Sequence, residues 1–340
     1  MTLWRLFLFN AFSYAFFVRR MARRLALRRE PALGIRTMRA CALLCVRMFP
    51  SIRHGIEQSA NHLLREHMEN DAARLRRLAN EIVRELFEAE IAGLMLRERR
   101  FTELKALANG AGCDGEPALR AALARGGPLM LAGLHFGNLM LLITKLRLLI
   151  PDERKLMIVM HKNAPGAFFE DALRLIAEYG KDSIELVDIE QRVHLRRFLT
   201  ELRRNQPVFL LFSDLHGRFG KTNACRVGNH VVRLAGGGVK LAVELGIPLV
   251  VTYATGVPFR DRCTVHFATP GEKQAPRMLA AAETVPPVLK VHQQIADCLW
   301  QALVRYPEQW HFWEHFTPYL MPAPLLDTAA SGAPRESAHA

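Results

Sequence analysis

The six cysteines, at positions 41, 45, 113, 225, 263 and 298, form no C-x-x-C pair. That argues against zinc-ribbon frameworks, and Cys41 and Cys45, on one helix face in an apolar run, read as reduced, packed thiols of a cytosolic compartment. No G-x-S-x-G elbow frames Ser213, which disfavours a nucleophilic serine. The pair His311-x3-His315 with Glu314 lacks the H-E-x-x-H order, so no metal is expected there. The run Gly236-Gly237-Gly238 offers bare backbone N–H groups at a helix start, but it lacks the spacings of the nucleotide-binding loops. No internal repeat is present.

Acids are nearly absent from the first fifty positions. Glu30 stands alone against ten arginines, so nine of the thirteen net positive charges of the chain lie there. Nucleic acid is not the expected partner, because this basic stretch is arginine beside Phe and Leu, without zinc-finger, RNA-recognition or homeodomain patterns. The arginines follow an aromatic-rich apolar segment running from Met1 to Val18, broken by Arg5, Asn10 and Ser13. It is marginal in length for a spanning helix and long for an interfacial one. A signal peptide would carry its charge before the apolar run, whereas here the charge comes after it. The segment therefore reads as a membrane anchor with the rest of the chain on the cytoplasmic side. An amphipathic helix packed on the protein's own core is the plainer alternative.

What remains is long and apolar enough to bury a large core: 340 residues, half of them hydrophobic and 23% charged. Residues 1–30 form the anchor and its basic flank, and 31–117 a helical extension. Leu63, Leu64, Met68, Leu75, Leu78, Ile82, Leu86, Phe87, Ile91 and Leu94 recur there at helical spacing. Two helices are expected over 58–100, the second capped near Asn70-Asp71. From 118 to 320 short apolar runs alternate with helical segments, which predicts an α/β domain with a mostly parallel sheet flanked by helices. The segment between Ser213 and Gly238 reads as a loop. Residues 321–340, rich in Ala, Pro and Ser, are expected to be disordered.

Two clusters carry the chemistry. The run Leu129–Leu134, after Gly126-Gly127-Pro128, reads as a fully buried strand and ends on His135-Phe136-Gly137-Asn138. A histidine at the carboxyl end of such a strand sits where open α/β sheets bind ligands, and it can take a proton near neutral pH. Read alone, it is equally a core-edge histidine satisfied by a carbonyl. The second cluster, Ser213-Asp214-Leu215-His216-Gly217-Arg218-Phe219-Gly220-Lys221, follows the buried run Val208–Phe212, so Asp214 is expected at the same sheet edge. Gly217 and Gly220 permit tight turns, while Arg218 and Lys221 supply charge suited to a phosphate or an acidic carrier. A solvated loop is the plainer reading of those four.

The H-F-G-N segment, the D-x-x-G loop and the late Tyr306-Pro307-Glu308-Gln309-Trp310 run, in that order, resemble the bacterial lipid A biosynthesis acyltransferases, the late lauroyl and myristoyl transferases of the lysophospholipid acyltransferase superfamily. The resemblance runs from the anchor to about Phe316. It implies an enzyme at the cytoplasmic face of the cell inner membrane that moves a fatty acyl group from acyl carrier protein to a hydroxyl of a glycolipid. The carrier thioester is a co-substrate, and no cofactor is implied. Carried onto this chain, His135 is the general base, Gly137 and Asn138 shape its turn, and Lys162 and Asn163 fall at the family's basic and polar block. Asp214 and Gly217 match the D-x-x-G loop, where Arg218 and Lys221 lie, and Glu308 matches the P-E-Q segment. Trp310, Phe312, Trp313 and Phe316 read as core or as a wall for the acyl chain.

One departure stands out. The family motif is H-x4-[DE], yet the fifth residue after His135 is Met140. Another acid can fill the role in space, with Asp214 the first choice and Glu308 or Glu314 behind it. Alternatively the acceptor is an easier nucleophile such as an amine, or the chain serves a specialised lipid or natural-product pathway. The last alternative is a degenerate homologue that binds lipid or carrier protein without turnover.

Overall fold

The computed structural model describes residues 50–69, 71–98, 101–160, 166–189, 191–204, 206–271 and 285–313. The expected membrane anchor, the C-terminal tail, Lys162, Asn163 and Glu314 lie outside the described residues. Among the described residues no helix is long and apolar enough to cross a membrane.

The chain is an α/β protein. Helices α1 (Pro50–Leu64), α2 (Ala72–Glu98) and α3 (Phe101–Gly110) precede strand β1 (Gly112–Asp114) and helix α4 (Glu116–Ala124). Then follow β2 (Leu129–Gly133), α5 (Leu139–Leu149), β3 (Leu156–Met160), α6 (Gly166–Tyr179), β4 (Ile184–Asp188), α7 (Arg192–Arg204) and β5 (Val208–Phe212). After the hairpin β6 (Thr222–Val227) and β7 (His230–Ala235) come α8 (Gly237–Glu244), β8 (Leu249–Thr255), β9 (Thr264–Ala268) and α9 (Pro287–Arg305). Seven strands form one sheet in the order β1-β9-β8-β2-β5-β3-β4, parallel throughout except for the antiparallel pair β8–β9.

All five residues of β2 are buried because both faces of the sheet are covered. Met130 and Ala132 face a core layer with residues of α1, α2 and α9, including Ile56, Ile82, Ile295 and Leu299. Leu129 and Leu131 face the other layer, with Leu104 of α3, Leu119 of α4, Leu142 and Leu146 of α5 and Leu175 of α6. The alternation follows from the two-residue side-chain period of a strand. The helical extension therefore shares the core of the sheet. Asp71 does cap α2, its Oδ1 accepting the N–H groups of Ala73 and Arg74 at 2.9 and 3.0 Å.

Two elements depart from the sequence reading. Residues 31–117 were read as a helical extension, but Gly112–Asp114 within them forms β1, which extends the sheet by pairing with β9. The region read as a loop after Asp214 folds as the β6–β7 hairpin, turning at Gly228-Asn229. Cys225, Val227, Val232 and Leu234 alternate along it and are buried in the layer that contains α9.

His292 of α9 is buried beside this hairpin and accepts a hydrogen bond from Asn223 Nδ2 at 3.0 Å on its Nδ1. Burial pushes its pKa down to about 4 from 6.5. Between those values the unfolded chain binds a proton that the folded chain does not, so stability should fall as pH drops from 6.5 towards 4. The full effect is roughly 3 kcal/mol. Urea denaturation of a His292→Leu variant over that range is expected to show a shallower pH dependence than wild type, and an unchanged slope would refute the assignment.

Candidate active site

The register of two parallel strands creates the site. Gly133 of β2 pairs with Phe212 of β5, and the Ser213 N–H then donates to the Gly133 carbonyl at 2.8 Å. His135 and Asp214 each lie two residues beyond the last pair, so they arrive side by side at the carboxyl edge of the sheet. His135 Nδ1 is 2.7 Å from Asp214 Oδ1, and the His135 backbone N–H donates to Asp214 Oδ2 at 2.8 Å. The indole Nε1–H of Trp310 donates to the same Oδ2 at 3.0 Å.

Asp214 is fully buried, whereas the His135 side chain keeps 15% of its surface exposed. Burial works to raise the Asp214 carboxyl. The His135 charge, hydrogen bonds from its ring and backbone, and the Trp310 indole outweigh burial and hold the carboxyl below its usual value. An ionised carboxylate only accepts hydrogen bonds, so Nδ1 of His135 carries the hydrogen and Nε2 is the basic nitrogen. Phe212 stacks on the imidazole at 4.1 Å between centroids, and Phe312 meets it edge-on at 4.7 Å. The result is a base with one buried, charged partner and an apolar wall.

The turn after the base is held from several sides. Gly137 adopts φ 56°, and a Cβ placed there would stand 2.6 Å from the Ala254 carbonyl oxygen. Its N–H donates to the Gln309 carbonyl at 3.1 Å, and its own carbonyl accepts from His311 Nε2 at 2.7 Å. Burial, with the His135 charge beside it, pushes His311 down to about 4, so this ring is neutral. Asn138 caps α5, its Oδ1 accepting the Leu141 N–H at 2.9 Å. Gly137→Ala is expected to cost about 1–2 kcal/mol from the left-handed backbone alone, with displacement of the Ala254 carbonyl in addition. A lower urea midpoint would register it, and a wild-type midpoint would rule it out.

Met140 is buried in the core contacted by α5, which explains why no acid stands there. Gly217 opens a short 3-10 helix, Gly217–Phe219, and Lys221 is exposed beyond it; the Arg218 side chain lies outside the description. Glu308 lies in the short 3-10 helix Pro307–Gln309 that precedes Trp310. Glu308 is raised by burial, with Glu85 and Glu81 adding to the effect and Arg260 opposing it. Of the residues singled out from the sequence, His135, Asp214, Gly137 and Asn138 come together.

No protein-family model and no curated protein matches this chain. The site must therefore be read from its own geometry.

Three participants escaped the sequence reading. Trp310 is a ligand of the acid as well as a core residue, and His311 is a clamp on the Gly137 carbonyl. Gln309 holds the Gly137 N–H. The sequence signals that touched them were the Tyr306-Pro307-Glu308-Gln309-Trp310 run of the resemblance and the His311-x3-His315 pair, neither of which gave these roles. A second hydrogen-bonded chain lies near the end of β8: Thr255 Oγ1 to His266 Nε2 at 2.8 Å, and His266 Nδ1 to Asp114 Oδ2 at 3.1 Å. Its hydroxyl and imidazole are both buried.

Proposed function

We propose that the chain is a membrane-associated acyltransferase. It moves a fatty acyl group from an acyl carrier protein thioester to a hydroxyl or amine of a lipid acceptor. The observation that carries this reading is the buried Asp214 carboxylate 2.7 Å from His135 Nδ1. The resemblance to the lipid A acyltransferases calls for a histidine with an acid partner, and position 140 does not supply one. Asp214 is the candidate for that role, which favours an enzyme over a binding protein that has lost its catalytic pair.

In the proposed reaction, Nε2 of His135 takes the proton of the acceptor as its oxygen or nitrogen attacks the thioester carbonyl carbon. Asp214 stabilises the imidazolium that forms. The tetrahedral intermediate collapses with cleavage of the carbon–sulfur bond, and the imidazolium returns the proton to the leaving thiolate. An acyl ester or amide and a free carrier thiol result, so atoms and charge balance without a cofactor. Phe212 and Phe312 provide an apolar border beside the base that suits a fatty chain.

In this reading residues 1–30 hold the enzyme at the cytoplasmic face of the inner membrane. The apolar segment enters the lipid, and the arginines that follow it lie against anionic head groups. The test is direct. Full-length protein is incubated with acyl carrier protein thioesters and membrane lipid, the carrier thiol is followed with a thiol reagent, and the lipid products are resolved by mass spectrometry. Thiol release coupled to a lipid mass increase equal to the acyl group is expected. Carrier or lipid binding with no release would overturn the proposal.

A further inference from the structure

The segment Gln309–Phe312 touches the His135 turn at every residue. The Gln309 carbonyl accepts from Gly137, Trp310 donates to Asp214, the His311 N–H donates to the His135 carbonyl at 3.0 Å, and Phe312 meets the His135 ring. Phe136 and Trp310 also form an isolated antiparallel bridge. Both halves of the histidine–carboxylate pair therefore depend on where this segment sits.

Its seat is polar and buried. The Gln309 side chain is 6% exposed, donates through Nε2 to Glu85 Oε2 of α2 at 2.9 Å, and accepts the Gly256 N–H through Oε1 at 3.2 Å. Glu85 is in turn gripped by both terminal nitrogens of Arg260, at 2.6 and 2.9 Å, and Arg260 also pairs with Glu88. Two anionic side chains of α2 are thus buried against one arginine from the β8–β9 connection. A merely structural helix contact would be made more cheaply with apolar side chains, since taking charges out of water carries a desolvation penalty. What the charges add is direction: they fix one orientation of the Gln309 amide.

We infer that Gln309, seated by Glu85 and Arg260, is a positioning residue that aligns the Gln309–Phe312 segment and through it the His135–Asp214 pair. The inference rests on the acyl-transfer reading for its kinetic consequence, but not for its geometry. Gln309 reaches the base through Gly137 and the acid through Trp310, and it touches neither reacting atom. A misplacement on the ångström scale can lower a rate by on the order of 10²-fold.

The experiment compares full-length wild type, Gln309→Met and His135→Ala well below the lowest melting temperature of the three. The downfield proton on His135 Nδ1, assigned by its absence in His135→Ala, reports the bond to Asp214 by NMR. Thiol release gives kcat and KM. In folded Gln309→Met the resonance is expected to shift or broaden, with kcat lower by on the order of 10²-fold and KM little changed. A folded variant with wild-type resonance and kcat overturns the inference. If His135→Ala transfers acyl groups as fast as wild type, His135 is not the base, and if wild type itself releases no thiol, the acyl-transfer reading falls; in either case the Gln309→Met resonance alone decides the positioning claim. Should Gln309→Met fail to fold, Gln309→Asn, which keeps the amide but shortens its reach, is read in the same way.

Discussion

Replacing His135 by alanine is expected to lower the rate of carrier-thiol release by about 10²- to 10⁴-fold, the range that a positioned general base contributes. The loss should appear in kcat, because in the proposed reaction the imidazole moves the proton of the chemical step. The fold should survive: the ring packs between Phe212 and Phe312, but it is partly exposed, and its backbone N–H, which donates to Asp214, is retained. Thermal melts accompany the assay for this reason. A folded His135→Ala protein with wild-type turnover would remove His135 from the chemistry altogether.

Asp214→Asn should cost still more relative to its size, about 10⁴-fold by analogy with the loss of the acid in a Ser-His-Asp triad. The asparagine oxygen can still accept from the His135 backbone and from Trp310. Its amide nitrogen, however, would face Nδ1 as a donor, driving the ring to the tautomer with hydrogen on Nε2 and removing the base. Single-turnover assays with a carrier thioester measure this, and a loss below tenfold would sink the assignment of Asp214 as the acid partner. The substitution also reports on stability. The folded carboxyl lies below its ordinary value of 3.8, so its contribution is present above that pH and is lost as pH falls through the folded value. Wild type should lose stability with acid in that window, and the asparagine variant should lack this share of the loss.

Much of this was legible in the sequence because burial on both faces leaves uninterrupted apolar runs. Leu129–Leu134 and Val208–Phe212 announce themselves as central strands, and once they are taken as parallel, His135 and Asp214 belong to one edge. The hairpin was not legible in the same way. Thr222, Asn223, Ala224 and Arg226 dilute its alternation, and Gly228-Asn229, a known hairpin dipeptide, was the signal that could have found it. Strand β1 is only three residues long and carries Gly112 and Asp114, the composition of a turn. Its strand character comes from β9 alongside it.

The supports of the site were hidden for a different reason. Glu85 and Glu88 sit among arginines in a helical repeat, and such charges ordinarily face water. Only the arrival of Arg260, 175 residues further on, turns Glu85 into a buried anion. Gln309 and Trp310 are likewise defined by partners far away in the chain. Periodicity reports which face of a helix or strand is covered, but not which distant polar group meets it.

The distance between base and acid has one more consequence. His135 and Asp214 are 79 residues apart in the chain, whereas H-x4-[DE] places both on one short segment. A motif of that kind travels with its own partner and is complete as soon as the turn forms. Here the imidazole gains its carboxylate only when β5 has docked beside β2. During synthesis the histidine emerges well before its carboxylate, and their bond can form while β8 and β9, which complete the sheet on the other side of β2, are still to be made.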